Sequence, residues 1–125
     1  MKREVRSVGA PAPIGPYSQG IEASGNVYCS GQIGADPATG KLEEGISAQT
    51  RRALGNLEQV LKASGLGLED VLKTSVFLAD LAQFAQMNEE YSKHFKPPFP
   101  ARATLQAAAL PKGALVEIDA IAQRK

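Results

Sequence analysis

Residues 71–108 read VLKTSVFLADLAQFAQMNEEYSKHFKPPFPARATLQAA. VLKTSVFLA (71–79) is β-branched and apolar, the composition of a strand. Asp80 then stands where a helix N-cap belongs. Leu81, Phe84, Met87, Tyr91 and Phe95 recur at the spacing of one helix face across 81–95. Pro97 and Pro98 stop that helix, because the residue before a proline is driven out of the helical region. ARATLQAA (101–108) reads as a second strand. A strand–helix–strand unit of this size predicts that its two strands run parallel, joined by a right-handed crossover.

N-terminal to this unit, SAQTRRALGNLEQVLKASG (47–65) predicts a helix. Ser47 is placed as its N-cap, Ala53, Leu54, Leu57, Val60 and Leu61 form one apolar stripe, and Gly65 is the stop. ALVEIDAIA (114–122) is a last strand, set off from 101–108 by Pro111, Lys112 and Gly113. On the N-terminal side, REVRSV (3–8) reads as a short strand before a Gly/Pro-rich loop, GAPAPIGPYSQG (9–20). IEAS (21–24) and VYCSGQI (27–33) flank Gly25-Asn26, which predicts a hairpin with a type II′ turn. GADPATGKLEEG (34–45) is loop. The order is β-β-β-α-β-α-β-β, which predicts an α+β fold: one domain over 1–125, with a six-stranded mixed sheet and two helices packed on one face.

Charge and cysteine content narrow the function. The net charge is +1, from 14 Lys+Arg against 13 Asp+Glu, with the signs interspersed. A phosphate-binding protein usually carries a basic excess or stripe, so no nucleic-acid partner is expected. The single cysteine, Cys29, cannot form an internal bridge and reads as a small buried apolar residue. Neither a signal peptide nor an 18-residue apolar run is visible, so the expectation is a soluble protein of the reducing cytoplasm, with no membrane partner. His94 has no second histidine or carboxylate at zinc-ligand spacing, so no metal is expected. Phosphate loops, nucleophile elbows and cofactor fingerprints are absent, and no cofactor is expected.

Side chains alternate faces along a strand. Val116, Ile118, Ala120 and Ala122 share one apolar face of the last strand, while Leu115, Glu117, Asp119 and Ile121 point the other way. In 101–107, Ala101, Ala103, Leu105 and Ala107 share a face opposite Arg102, Thr104 and Gln106. If the apolar sets pack on the helices, Arg102 and Glu117 both project from the helix-free side. Phe77 and Val71 make that side partly apolar, and two helices cannot cover both faces of six strands. A second copy of the chain is the expected cover, with Arg102 and Glu117 near the contact.

Taken singly, Arg102 and Glu117 read as solvated charges, Tyr17 as a loop anchor, Ser30 and Gly31 as a strand bulge, and Asn88 as a surface helix residue. Taken together, they describe a chemistry. A guanidinium fork holds a planar carboxylate bidentately, and a half-buried glutamate can deprotonate water. That constellation suits a small carboxylate substrate attacked by water.

PARATLQAAAL (100–110) followed by VEI (116–118) resembles the signature of the RidA/YjgF family of enamine/imine deaminases. IGPYSQ (14–19), SGQIG (30–34) and MNEEY (87–91) match its other characteristic stretches in order, so the resemblance spans nearly the whole chain. It implies a chorismate-mutase-like fold and a homotrimer with sites in the clefts between subunits. The implied activity is hydrolysis of 2-imino acids, chiefly 2-iminopropanoate and 2-iminobutanoate, to 2-keto acids and ammonia. By the same resemblance Arg102 binds the carboxylate, Glu117 handles the water, and Tyr17, Ser30, Gly31 and Asn88 line the pocket; the mechanism expected from this set has Tyr17 helping Glu117 direct the water. Thr104 stands among the substrate-binding positions where many members carry cysteine, which puts thiol-dependent side functions in doubt. Three other readings stand beside this one: a non-catalytic sensor of 2-keto acids, an endoribonuclease or translation inhibitor, and a purely structural trimer.

Overall fold

The computed structural model describes residues 1–125. Six strands form one sheet in the order β1-β2-β3-β6-β4-β5. They are β1 (Arg3–Val5), β2 (Gly20–Ala23), β3 (Asn26–Ile33), β4 (Val71–Leu78), β5 (Ala101–Gln106) and β6 (Val116–Gln123), with helices α1 (Ile46–Lys62) and α2 (Phe84–Ser92). The expected element order is the observed one. β4 and β5 are parallel neighbours, and every other pairing is antiparallel.

One face of the sheet carries the core. Val27, Cys29, Val76, Leu78, Val116, Ile118, Ala120 and Ala122 are buried there against Leu54, Leu57 and Leu61 of α1 and Met87 and Tyr91 of α2. Full burial of one such aliphatic side chain stabilises by roughly 1.5–3 kcal/mol. The apolar stripe of α1 is therefore the main wall of the core. A Schellman-type turn closes α1, with Leu66 N–H on the Leu61 carbonyl and Gly65 N–H on that of Lys62, both at 2.9 Å. Gly65 takes a φ of 77° there, which favours glycine. No helix is long and apolar enough to cross a membrane.

Local details differ from expectation. β1 ends at Val5, because the chain then bends onto the buried Gln19 side chain, which hydrogen-bonds Ser7, Ala10 and Pro11. The hairpin turns at Ser24-Gly25, both with positive φ (52° and 81°), and Ala23 faces Asn26. That is a type I′ geometry, not the type II′ turn expected at Gly25-Asn26. Ser47 is not the cap of α1: the helix starts at Ile46 after Gly45, with no side-chain cap. Asp80 does cap, accepting from Ala82 N–H at 2.9 Å, but a 3₁₀ turn (Leu81–Gln83) intervenes before α2 begins. Leu81 and Phe84 consequently stay exposed and do not join Met87, Tyr91 and Phe95 in the core.

Two facing assignments are overturned. A register shift between Val71 and Lys73 turns Val71 into the core, so it does not share a face with Phe77. Arg102 is the Cα partner of Thr74, and Thr74 is fully buried on the helix side. Partners in register point to the same face, so Arg102 and Thr104 face α2, while Ala101, Ala103 and Leu105 face away from it. β5 is an edge strand, and its alanines are too weakly apolar to decide which side enters the core. The register with β4 decides it instead.

The helix-free face has the mixed character expected. Glu117 is the Cα partner of Phe77, which in turn partners Leu105. Tyr28 and Ile121 pair further along, and Tyr28 and Leu105 are exposed.

Candidate active site

The site begins at an irregularity in β3. Its pairing with β6 is regular to Cys29↔Ala120 and resumes at Gln32↔Ile118, so Ser30 and Gly31 together oppose Asp119. This is the strand bulge expected at that position, and bulges often re-aim side chains beside active sites. A Cβ on Gly31 would lie 2.9 Å from Glu117 Cδ and 3.1 Å from its Cγ. The Glu117 carboxylate thus lies across the Gly31 backbone, and only glycine leaves it room.

The bulge also holds the loop that carries Tyr17. Ser30 N–H donates to the Gln19 carbonyl at 2.9 Å, and the Ser30 hydroxyl donates to the Ser18 carbonyl at 2.5 Å. Ser30 therefore uses its proton on the loop. Tyr17, Gly31 and Glu117, with Pro11, Ile14, Lys112 and others, line a cavity of about 390 Å³. Burial, reinforced by the negative charge of Asp119, pushes the Glu117 carboxyl above the usual carboxylate range. A carboxyl tuned in that direction is a better proton acceptor, as a general base requires.

Arg102 belongs to a different wall. Its guanidinium carbon stands 4.8 Å from the centroid of the Tyr91 ring and 5.5 Å from that of Phe84. Asn88 is half-buried one turn after Phe84 and one turn before Tyr91 on α2, on the helix face that meets Arg102. The Thr104 hydroxyl is buried without a hydrogen-bond partner. Arg102 enters no ion pair in its own chain.

The seven positions singled out from sequence thus fall into two groups. Tyr17, Ser30, Gly31 and Glu117 gather at the bulge, while Asn88, Arg102 and Thr104 gather between β5 and α2. One chain does not bring the two together, which corrects the expectation that Arg102 and Glu117 share a face. Phe84, Tyr91 and Lys112 join the site without having been expected there. Phe84 and Tyr91 carry a signal, being seven apart on a helix that precedes Arg102, but the apolar stripe of that helix absorbs both into the core. Lys112 gives none. Of the bystanders, His94 binds Glu90 at 2.9 Å, and burial pushes the Cys29 thiol up to about 12, which leaves it inert.

The α+β domain thus carries a glutamate-lined cleft beside the β3 bulge and, on its edge strand β5, an arginine held over two aromatic rings. The chain matches the family described as Endoribonuclease L-PSP over residues 8–124, and it belongs to that family, RidA/YjgF. It is 46% identical to the human 2-iminobutanoate/2-iminopropanoate deaminase, covering 98% of this chain and 90% of that one. Among solved structures it is similar to RidA from an Antarctic Psychrobacter, with a TM-score of 0.94 and 43% identity over 97% of this chain and 98% of that one. It is also similar to Escherichia coli TdcF with bound serine, with a TM-score of 0.93 and 38% identity over 98% and 99%.

Proposed function

We propose that this chain hydrolyses small 2-imino acids, such as 2-iminopropanoate and 2-iminobutanoate, to the 2-keto acid and ammonia. The observation that carries the reading is an arginine left without any ionic partner in a chain whose one glutamate of raised pKa lines a cleft. The names of similar proteins, 2-iminobutanoate/2-iminopropanoate deaminases of human and mouse, support the substrate class, and the serine held by TdcF is a carboxylate of suitable size.

The Arg102 fork takes the substrate carboxylate through paired N–H donors, and the backbone at Gly31 helps orient it. Glu117, with Tyr17 beside it, accepts a proton from water as the oxygen attacks the C=N carbon. That attack forms a C–O bond and moves the π electrons to nitrogen, which takes up a proton. Returning the remaining proton to nitrogen as the C–N bond breaks releases ammonia and leaves the keto acid. Such positioned acid–base help is worth about 10²–10⁴-fold, which is sufficient for an imine that already hydrolyses in water. Asn88 and Thr104 complete the pocket around the carboxylate.

Because the two groups of residues lie apart in one chain, the complete site requires a neighbouring copy. The reading is a homotrimer closed by three equivalent contacts, in which Phe77, Leu105, Tyr28 and Ile121 are covered and Glu117 of one subunit meets Arg102 of the next. The reducing cytoplasm suits a chain whose lone thiol is buried and inert. A coupled assay with a threonine dehydratase tests the activity: keto-acid release accelerates when the chain is added, and unchanged release contradicts the proposal.

A further inference from the structure

Arg102 is a cation surrounded by rings. Tyr91 lies beneath it and is itself fixed. The Tyr91 hydroxyl shares a buried 2.7 Å hydrogen bond with the Thr74 hydroxyl, and its ring rests on Phe95 with centroids 4.7 Å apart. Thr74 is also the Cα partner of Arg102, so the strand residue beside the arginine anchors the ring under it. Phe84 is different, since 37% of it remains exposed. A large ring at a half-open position contributes little to the core, yet its face is turned to the guanidinium.

Aromatic faces attract a cation without using its N–H donors, which lie in the guanidinium plane. A carboxylate in the same place would orient Arg102 equally well but would compete with the substrate for those donors. We propose that Phe84 and Tyr91 are positioning residues: an aromatic clamp that sets the direction of the Arg102 fork and keeps its donors free for the substrate carboxylate. This rests on the deaminase reading above. The clamp acts on binding, so its loss is read in KM and in keto-acid affinity and leaves kcat nearly unchanged.

The experiment compares Phe84→Leu, Phe84→Trp, Tyr91→Phe and Arg102→Ala, measuring kcat and KM for the imine and the Kd of 2-oxobutanoate by calorimetry. Phe84→Leu keeps apolar bulk but removes the π face; it raises KM and Kd about 3- to 5-fold with kcat within about 2-fold. Phe84→Trp, with the stronger face, binds at least as tightly as the wild type. Tyr91→Phe keeps the ring but frees it from Thr74, and raises KM by a smaller factor. Wild-type Kd in Phe84→Leu, or Phe84→Trp binding as weakly as Phe84→Leu, overturns the clamp. If those results accompany a binding-defective Arg102→Ala, the deaminase reading survives and the clamp alone is lost. An Arg102→Ala variant that binds like the wild type removes both.

Discussion

Arg102 and Glu117 occupy opposite faces of one sheet. Arg102 shares its face with Thr74 and lies over Tyr91, whereas Glu117 shares its face with Phe77 and lines the cleft at Gly31. A substrate of a few heavy atoms cannot touch both through the core of a single chain. In the homotrimer proposed above, a neighbouring copy joins them.

Removing the fork tests the carboxylate contact. Arg102→Ala lowers kcat/KM about 10- to 100-fold, the effect of losing charge-assisted hydrogen bonds worth roughly 1.5–3 kcal/mol. Arg102→Lys restores only part of this, because an ammonium offers no planar fork. Steady-state kinetics on freshly generated imine measure both.

Glu117→Gln separates chemistry from binding. It lowers kcat about 10²–10⁴-fold with KM little changed. In the wild type, kcat/KM falls as pH drops through the raised Glu117 pKa, where the base becomes protonated. Asp119→Asn removes the neighbouring charge that helps raise that pKa, yet its Oδ1 can still accept from Ser75 N–H. The acidic limb of the pH profile therefore moves to lower pH in Asp119→Asn.

The same group has a stability signature. A carboxyl whose folded pKa is raised contributes stability at low pH that disappears as pH rises through that pKa. At neutral pH the wild type thus carries the cost of an ionised, partly buried Glu117, and Glu117→Gln does not. Thermal melting at pH 7 finds Glu117→Gln no less stable than the wild type.

Gly31→Ala tests the close approach at the bulge. The new methyl collides with the Glu117 carboxylate, which must turn away. Activity falls about 10-fold or more, since small displacements of a positioned group are costly in rate, while circular dichroism stays that of the folded chain.

Glu90 reports on the scaffold. Burial pushes its carboxyl up, but hydrogen bonds from His94 and Arg51 and the charges of Arg51 and Lys93 outweigh this and hold it below the usual range. A lowered folded pKa means that the stability it gives is present above the unfolded pKa and is lost as pH falls through the folded one. Glu90→Gln keeps one acceptor oxygen for partners that are largely exposed, so it destabilises at pH 7 by only about 0.5–1 kcal/mol, and the difference from the wild type shrinks in strongly acidic melts.

Much of this molecule is legible in the sequence. Element order and the parallel β4–β5 pair follow from hydrophobic period and from prolines, and both are strong local signals. The bulge at Ser30-Gly31 shows as a glycine inside a strand. The facing of Arg102 is not legible, because an alanine-rich edge strand has no decisive apolar side and register is a property of its neighbour. Val71 is misplaced for a related reason, an irregularity at Leu72 that no local composition announces. Gln19 is also hidden: its buried amide organises the loop bearing Tyr17 through contacts 8 to 12 residues away. The aromatic bed of Arg102 fits the apolar stripe of α2 too well to stand out from it.

The most direct measurement is complementation between two disabled variants. Arg102→Ala and Glu117→Gln proteins, each impaired alone at sub-KM substrate, are unfolded, mixed in equal amounts and refolded together. If each site takes its arginine from one subunit and its glutamate from the next, about one quarter of the sites in random mixed assemblies hold both wild-type groups, and activity returns towards that fraction of wild type. Mixed assemblies verified by mass spectrometry yet no more active than their parents would show that arginine and glutamate work within one chain, and the account would fail.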